Sequence, residues 1–318
     1  MSTSTVDPAF WWIKYVPEVP VHLSWCRRLL RVYTTPSTPP PDIVRKEVVC
    51  RDNGIDIRFI LTCPAKRDGR MPTMLWFHGG GMIGGNYRMD WKRMDEYAQK
   101  LGLCSISVDY RFAPENPAPA AIDDGISVWN WILNNAGDEN LDLERLIIGG
   151  ASAGAGLAAS VVQRVHDMGG PQPNLQFLTY PMLDDRTAIR TETTKRYVWS
   201  LANDRYAWGA YLGVPAGSEV VPEYAVPSRR TNLSGLPSTW LGVGTLDLFH
   251  DEALEYARRL EESGVEVDLK VIEGMFHSSE LLFPKEPRSG HFKLAQESAL
   301  RKAIAQYPIL RRVASDDV

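Results

Sequence analysis

Two glycine-framed segments and a short list of histidines set the chemistry open to this chain. Gly150-Ala151-Ser152-Ala153-Gly154 follows the apolar run Leu146–Ile148 and opens a small-residue stretch over 153–162. A serine in G-x-S-x-G between strand and helix has the context of a nucleophile elbow. The sharp turn exposes the hydroxyl, small neighbours let strand and helix approach, and the helix N-terminus favours developing negative charge. The bland alternative is a glycine-rich helix start packed for steric reasons. The second segment, His78-Gly79-Gly80-Gly81, follows the apolar run Thr73–Phe77. Glycines let backbone N–H groups turn toward a substrate oxygen, and two donors from this loop with that of Ala153 would cradle a tetrahedral oxyanion. A phosphate cradle is the poorer reading, because neither G-x-x-x-x-G-K-[ST] nor a dinucleotide fingerprint is present.

A serine nucleophile needs a base, and the base needs an orienting carboxylate. The histidines number six: His22, His78, His166, His250, His277 and His291. His22 lies in the N-terminal segment, and His78 reads as a brace for the glycine loop. His166 falls late in a helical stretch, while His250 and His291 begin others. His277 remains, in the loop Glu273–Ser278 after the apolar run Val267–Ile272. Asp247 follows the run Thr239–Val243 and is the preferred orienter, with Asp251 second. The order Ser152, Asp247, His277 is that of an α/β-hydrolase.

The elements that must position these groups alternate. Lys46–Cys50 and Ile55–Thr62 around Asp52-Asn53-Gly54 predict a hairpin. Thr73–Phe77, Leu103–Val108, Leu146–Ile148, Gln176–Thr179, Thr239–Val243 and Val267–Ile272 read as buried parallel strands. Helical stretches at 89–101, 119–136, 153–168, 249–263 and 291–306 separate them, so the fold class is α/β with a mostly parallel sheet flanked by helices. The interval between Tyr180 and Thr239 is too long for an ordinary βα connection. Its aromatic part, 185–215, reads as an insertion over the C-terminal edge of the sheet. Residues 1–40 read as an appendage packed through Trp11, Trp12, Tyr15, Trp25, Leu29 and Leu30, with the cluster Pro36–Pro41 as a stiff connector.

Composition narrows the partners. The 318 residues carry 35 Lys+Arg against 39 Asp+Glu, a net charge of −4, which argues against nucleic acid. Arg27, Arg28 and Arg31 read as the wet face of a helix. The four cysteines form no C-x-x-C pair or metal cluster, and Cys104 reads as a buried thiol, so the expectation is no metal, no disulfide and a reduced, cytoplasmic setting. An N-terminus without a basic n-region and interrupted by Asp7 and Pro8 is not expected to be a signal peptide. No run approaches a membrane span.

Together these motifs resemble the microbial hormone-sensitive-lipase-like carboxylesterases of the α/β-hydrolase fold, over about 70 to 310. The oxyanion motif is matched by His78-Gly79-Gly80-Gly81. A second motif is matched by Asp109-Tyr110-Arg111-Phe112-Ala113-Pro114-Glu115, continuing to Asp123-Asp124. The nucleophile motif is matched by Gly150 to Ala158, the acid motif by Asp247-Leu248-Phe249-His250-Asp251-Glu252, and the base by His277. Departures are Ala151 for the usual acidic residue, Ala155 for a glycine, Phe249 and Ser278. Arg111 and Glu115 read as a structural brace under the oxyanion loop, and Asp123 and Asp124 as structural too.

The resemblance implies a cap of two pieces (1–45 and 185–215) over a core of 46–184 and 216–318. It assigns the oxyanion donors to the N–H groups of Gly80, Gly81 and Ala153. It implies a serine esterase for short- to medium-chain acyl esters, with no cofactor, no membrane partner, and dimerisation through the edge strand Val267–Ile272. Met82 and Ile83 are expected to bind substrate; further candidate liners are Trp12, Tyr197, Trp208, Met275 and Phe276. A lactonase, amidase or deacetylase on the same machinery, or a non-catalytic small-molecule receptor, are the alternatives.

Overall fold

The chain enters its sheet at a hairpin. β1 (Ile43–Asp52) and β2 (Ile55–Pro64) pair antiparallel around Asn53 and Gly54, at φ +49° and +81°. Two positive-φ residues match the twist of the flanking strands, which is why an Asn-Gly pair sits there. β3 (Met71–Phe77), β4 (Cys104–Val108), β5 (Leu141–Ala151), β6 (Leu175–Thr179), β7 (Ser238–Gly244) and β8 (Val267–Ile272) complete the sheet in the order β1-β2-β4-β3-β5-β6-β7-β8. β2 pairs antiparallel with β4, and every later neighbour is parallel. The computed structural model describes residues 8–15, 18–32, 38–66, 69–191 and 197–305. Pro36 of the predicted connector, Asp7, residues 192–196 of the predicted insertion and residue 306 lie outside them.

After α1 (Ser24–Val32), the helices are α2 (Trp91–Leu101), α3 (Ala120–Asn135), α4 (Ala153–Met168), α5 (Leu201–Leu212), α6 (His250–Glu262), α7 (Ser279–Leu282) and α8 (Pro287–Ala305). α3 packs beside α4, and α2 beside α8. Every residue of β3, β4 and β6 is buried, as expected of parallel strands covered on both faces. β8 departs from that expectation. It closes the sheet as an edge strand, and Leu269 and Val271 are each 37% exposed.

Three further expectations are corrected. Cys104 is not a free thiol: it is disulfide-bonded to Cys63. The antiparallel register of β2 on β4 places Thr62 opposite Ser105, so the next residues, Cys63 and Cys104, face each other. The N-terminal segment packs through Phe10, Ile13, Val21 and Cys26, whereas Trp11, Tyr15, Trp25 and Leu29 are exposed. On α1 the inward stripe is Cys26, Arg27, Leu30 and Arg31 rather than the aromatic one. Arg27 is buried and donates to the carbonyls of Val21 and His22. Arg31 reaches across to the glycine loop, as described below.

α5 and a 3-10 turn at Thr187–Ile189 fall within 185–215. Ser200 precedes α5, and its hydroxyl caps the helix by accepting from the Asn203 N–H. The same turn ties this stretch to the N-terminal segment: Asn203 Nδ2 donates to the Val19 carbonyl at 3.1 Å, and Ser200 Oγ meets Glu18.

Candidate active site

β5 runs straight into the turn that carries Ser152, and α4 starts at the next residue. Ser152 is held at φ +58°, ψ −125°, in a region L-residues avoid. A turn this tight brings the helix start against the neighbouring strand, so a Cβ on Gly154 would run into the carbonyls of Phe77 and His78. That close approach explains the glycine after the serine. The Ser152 N–H donates to the Thr179 carbonyl on β6 at 2.9 Å, which anchors the turn to the sheet.

His277 sits in the loop after β8, and Asp247 in the loop after β7. Adjacent parallel strands bring both loops to the end of the sheet where β5 releases Ser152. His277 Nε2 lies 2.9 Å from Ser152 Oγ, and its Nδ1 lies 2.9 and 3.1 Å from the two oxygens of Asp247. The backbone N–H of Phe249 donates to Asp247 Oδ1 at 2.9 Å. Asp247 and His277 are 1% and 3% exposed, so water is kept from the pair. The rings of Tyr180 and Phe249 stand steeply to the imidazole at 4.8 and 5.2 Å. Tyr180 is held in turn by donating to Glu280 at 2.8 Å, and Glu280 pairs with Arg93. Asp251, the second candidate carboxylate, lies on α6 and pairs with His250 and Arg190 instead.

The glycine loop lies across from the serine. Gly79 and Gly80 line the same cavity as Ser152 and His277. Among the described residues, the N–H groups of Gly80, Gly81 and Ala153 donate to no backbone carbonyl. His78 is fully buried, its Nδ1–H donates to the Gly79 carbonyl at 2.7 Å, and its ring stacks on Tyr110 at 4.4 Å. Burial lowers the His78 imidazole from 6.5 to about 4. The unfolded chain therefore takes up the extra proton first as pH falls, and stability that is complete above pH 6.5 is lost toward about 4. Denaturant midpoints at pH 7 and pH 5 check this against His78→Gln. Wild type should lose on the order of 2 kcal/mol more than the variant; equal losses would contradict it.

Arg31 is the residue whose role the sequence hid. From α1 its guanidinium donates to the Ile83 carbonyl at 2.9 and 3.1 Å and to the Ala113 carbonyl at 3.1 Å, and it pairs with Glu115. The brace under the glycine loop is thus Arg31 with Glu115. Arg111 pairs with the buried Asp124, and Asp123 with Arg164.

The cavity over Ser152 holds about 200 Å³, and its walls are mainly apolar. Val19, Val21 and Leu30 come from the N-terminal segment, Val198 and Trp199 from the insertion, and Met89 from the loop before α2. Met82 and Ile83 are not among the lining residues. Met82 takes φ +60° and, like Ile83, is buried in the core. Trp208, Met275 and Phe276 are buried elsewhere, and Trp12 packs tilted against Phe283. Among the described residues no group of His, Cys, Asp and Glu could hold a metal ion, and no helix is long and apolar enough to cross a membrane.

Known proteins are similar to this chain. The model of a family described by the alpha/beta hydrolase fold matches residues 74–281. "Esterase LipI" of Mycobacterium tuberculosis is 32% identical over 221 residues, 68% of this chain and 67% of that protein. "Carboxylesterase NlhH" of the same species is 32% identical over 261 residues, 79% of each. A solved structure titled "Bacterial Heroin Esterase" superposes with a TM-score of 0.86 at 30% identity, covering 96% of this chain and 99% of that one.

Proposed function

Since the chain belongs to the alpha/beta-hydrolase fold family, in its hormone-sensitive-lipase-like branch, we propose that it is a serine carboxylesterase for short- to medium-chain acyl esters. Ser152, His277 and Asp247 carry the reaction. The observation behind this reading is the continuous relay of 2.9 Å contacts from Ser152 Oγ through His277 to Asp247, opening on an apolar cavity.

Ser152 Oγ attacks the ester carbonyl while His277 Nε2 takes its proton. The imidazolium so formed is stabilised by the Asp247 carboxylate, which keeps its own charge. The carbonyl oxygen becomes an oxyanion facing the N–H groups of Gly80, Gly81 and Ala153. Collapse expels the alcohol, protonated by His277, and leaves an acyl-serine. Water, deprotonated by His277, then releases the acid and restores the hydroxyl. The strained backbone at Ser152 holds about 1–3 kcal/mol that the surrounding sheet and helix must offset. It keeps the hydroxyl aimed into the cavity.

The test is direct. Purified protein should hydrolyse p-nitrophenyl acetate and butyrate faster than the palmitate. A fluorophosphonate should label it once, at the peptide carrying Ser152. Absence of both labelling and turnover would sink the reading.

The oxyanion loop has its own prediction. Gly80 takes φ +126°, and a Cβ there would run into the Gly84 carbonyl. Gly80→Ala should therefore displace the loop's donors and lower kcat by about 10²–10³, the cost of one lost oxyanion contact. A fall of less than tenfold in steady-state assays would contradict the assignment.

A further inference from the structure

The insertion places a strained, buried and hydrogen-bonded device against the oxyanion loop. Val198 takes φ +70°, and a β-branched residue in that region is a true outlier. The strain delivers the next residue, Trp199, into the wall of the cavity. The far edge of its indole presses on Gly81, so closely that a Cβ on that glycine would stand 2.9 Å from Cζ2. The near edge is fixed too: Nε1–H donates to Asp204 Oδ1 at 3.1 Å. Asp204 lies one helical turn into α5 and is fully buried. Its other oxygen meets no donor among the described residues. Burial pushes its carboxyl up to about 7, against the opposing pull of the indole hydrogen bond and of His277. An under-satisfied buried acid costs folding free energy. Among the described residues the indole N–H is the one donor this acid engages.

We infer that Trp199, held in place by Asp204, is the wall that limits how long a carbon chain the ester site accepts. The inference rests on the esterase reading above and adds to it the residues that set substrate length. Trp199 is the specificity-determining residue, and Asp204 is a positioning residue acting through it. Two observations meet here. The indole stands beside Gly81, one of the glycines proposed to face the reacting carbonyl oxygen. The space it leaves, about 200 Å³, is below the roughly 300–1,000 Å³ of pockets for drug-sized ligands. A small acyl or alkyl group fits such a space, and a longer one meets the indole.

Two ester series test it: p-nitrophenyl esters of lengthening acyl chains, and acetates of lengthening alcohols. Wild-type turnover of p-nitrophenyl acetate tests the esterase reading alone. The inference is read only from the ratio of kcat/KM for the C8 substrate to that for the C2 substrate. Trp199→Ala should raise this ratio at least about tenfold in one series, as burying two further methylenes would. Trp199→Phe, which keeps an aromatic ring but shortens it, should raise it less and serves if the alanine variant does not fold. Asp204→Leu keeps the volume and removes the acceptor, so it should shift the ratio in the same direction. Asp204→Asn keeps a carbonyl oxygen for the indole N–H and should restore the wild-type ratio. A merely structural Asp204 would lower Tm in the leucine variant without moving the ratio. Unchanged ratios in both series for the Trp199 variants, or equal ratios for Asp204→Leu and Asp204→Asn, would overturn the inference.

Discussion

Ser152→Ala should lower kcat for p-nitrophenyl acetate by on the order of 10⁶, with KM changed only a few-fold. The magnitude follows from what the hydroxyl does. In the proposed reaction it is the atom that bonds to the acyl group, and it stands 2.9 Å from His277 Nε2, the proposed base. Without it His277 and Asp247 have nothing to activate but water. What survives is the contribution of the oxyanion donors and the cavity, about 10³–10⁴ over the uncatalysed reaction. The variant should fold as well as the parent. Alanine meets the same positive φ as serine, and the Ser152 N–H keeps its bond to Thr179. Steady-state kinetics, fluorophosphonate labelling and Tm measured together decide the matter. Retention of more than about one per cent of the activity, with Tm unchanged, would mean that another residue carries the acyl group.

The parts of the site that rest on local backbone geometry could be read from the sequence. Ser152 between glycines and the run His78–Gly81 announce themselves because a tight turn or an exposed N–H row permits few residue types. His277 and Asp247 were reachable by a positional argument: parallel strands put functional loops at one end of the sheet. What escaped is set by contacts distant in sequence. On α1 the apolar side chains Trp25, Leu29 and Leu30 read as the packing residues, and of these Leu30 packs on the core. Beside it the carbonyls of Val21, Ile83 and Ala113 draw in Arg27 and Arg31 as donors, and Trp25 and Leu29 are exposed. Buried carbonyls must be paired, and no hydropathy pattern shows where they fall. The Cys63–Cys104 pairing was hidden for a related reason. It depends on β2 lying beside β4 rather than β3, a strand order that spacing along the chain does not reveal.

The cavity walls show the same limit. Met82 and Ile83 adjoin the oxyanion glycines in sequence, yet the turn at Met82 directs both into the core. The walls come from Val19 to Leu30 and from Val198 and Trp199, brought together by the Asn203–Val19 hydrogen bond and the packing of α1. Neighbours along the chain were therefore poor guides to neighbours of the substrate. By contrast, the residues proposed to do the chemistry lie where the ends of strands place them.

Asp247→Asn should reduce kcat by about 10⁴ while leaving the fold and KM nearly intact. The carboxylate lies 2.9 Å from His277 Nδ1 and accepts the Phe249 N–H at 2.9 Å on Oδ1. It therefore holds the proton on Nδ1 and leaves the Nε2 lone pair facing Ser152. An asparagine keeps the carbonyl oxygen for Phe249 N–H, and so turns its amide N–H₂ toward Nδ1. That donor favours the tautomer with the proton on Nε2, which cannot accept from the serine. The buried imidazolium of the transition state also loses its counter-charge, with aromatic rings on two sides and little water to replace it. Both losses fall on proton transfer and not on substrate binding, so kcat carries the effect. Raising the pH into the range in which hydroxide can act directly should recover part of the rate in the variant but not in wild type. If Asp251→Asn produced the large loss and Asp247→Asn did not, the carboxylate on α6 would have to be the orienter. The geometry argues against that, because Asp251 faces His250 and Arg190.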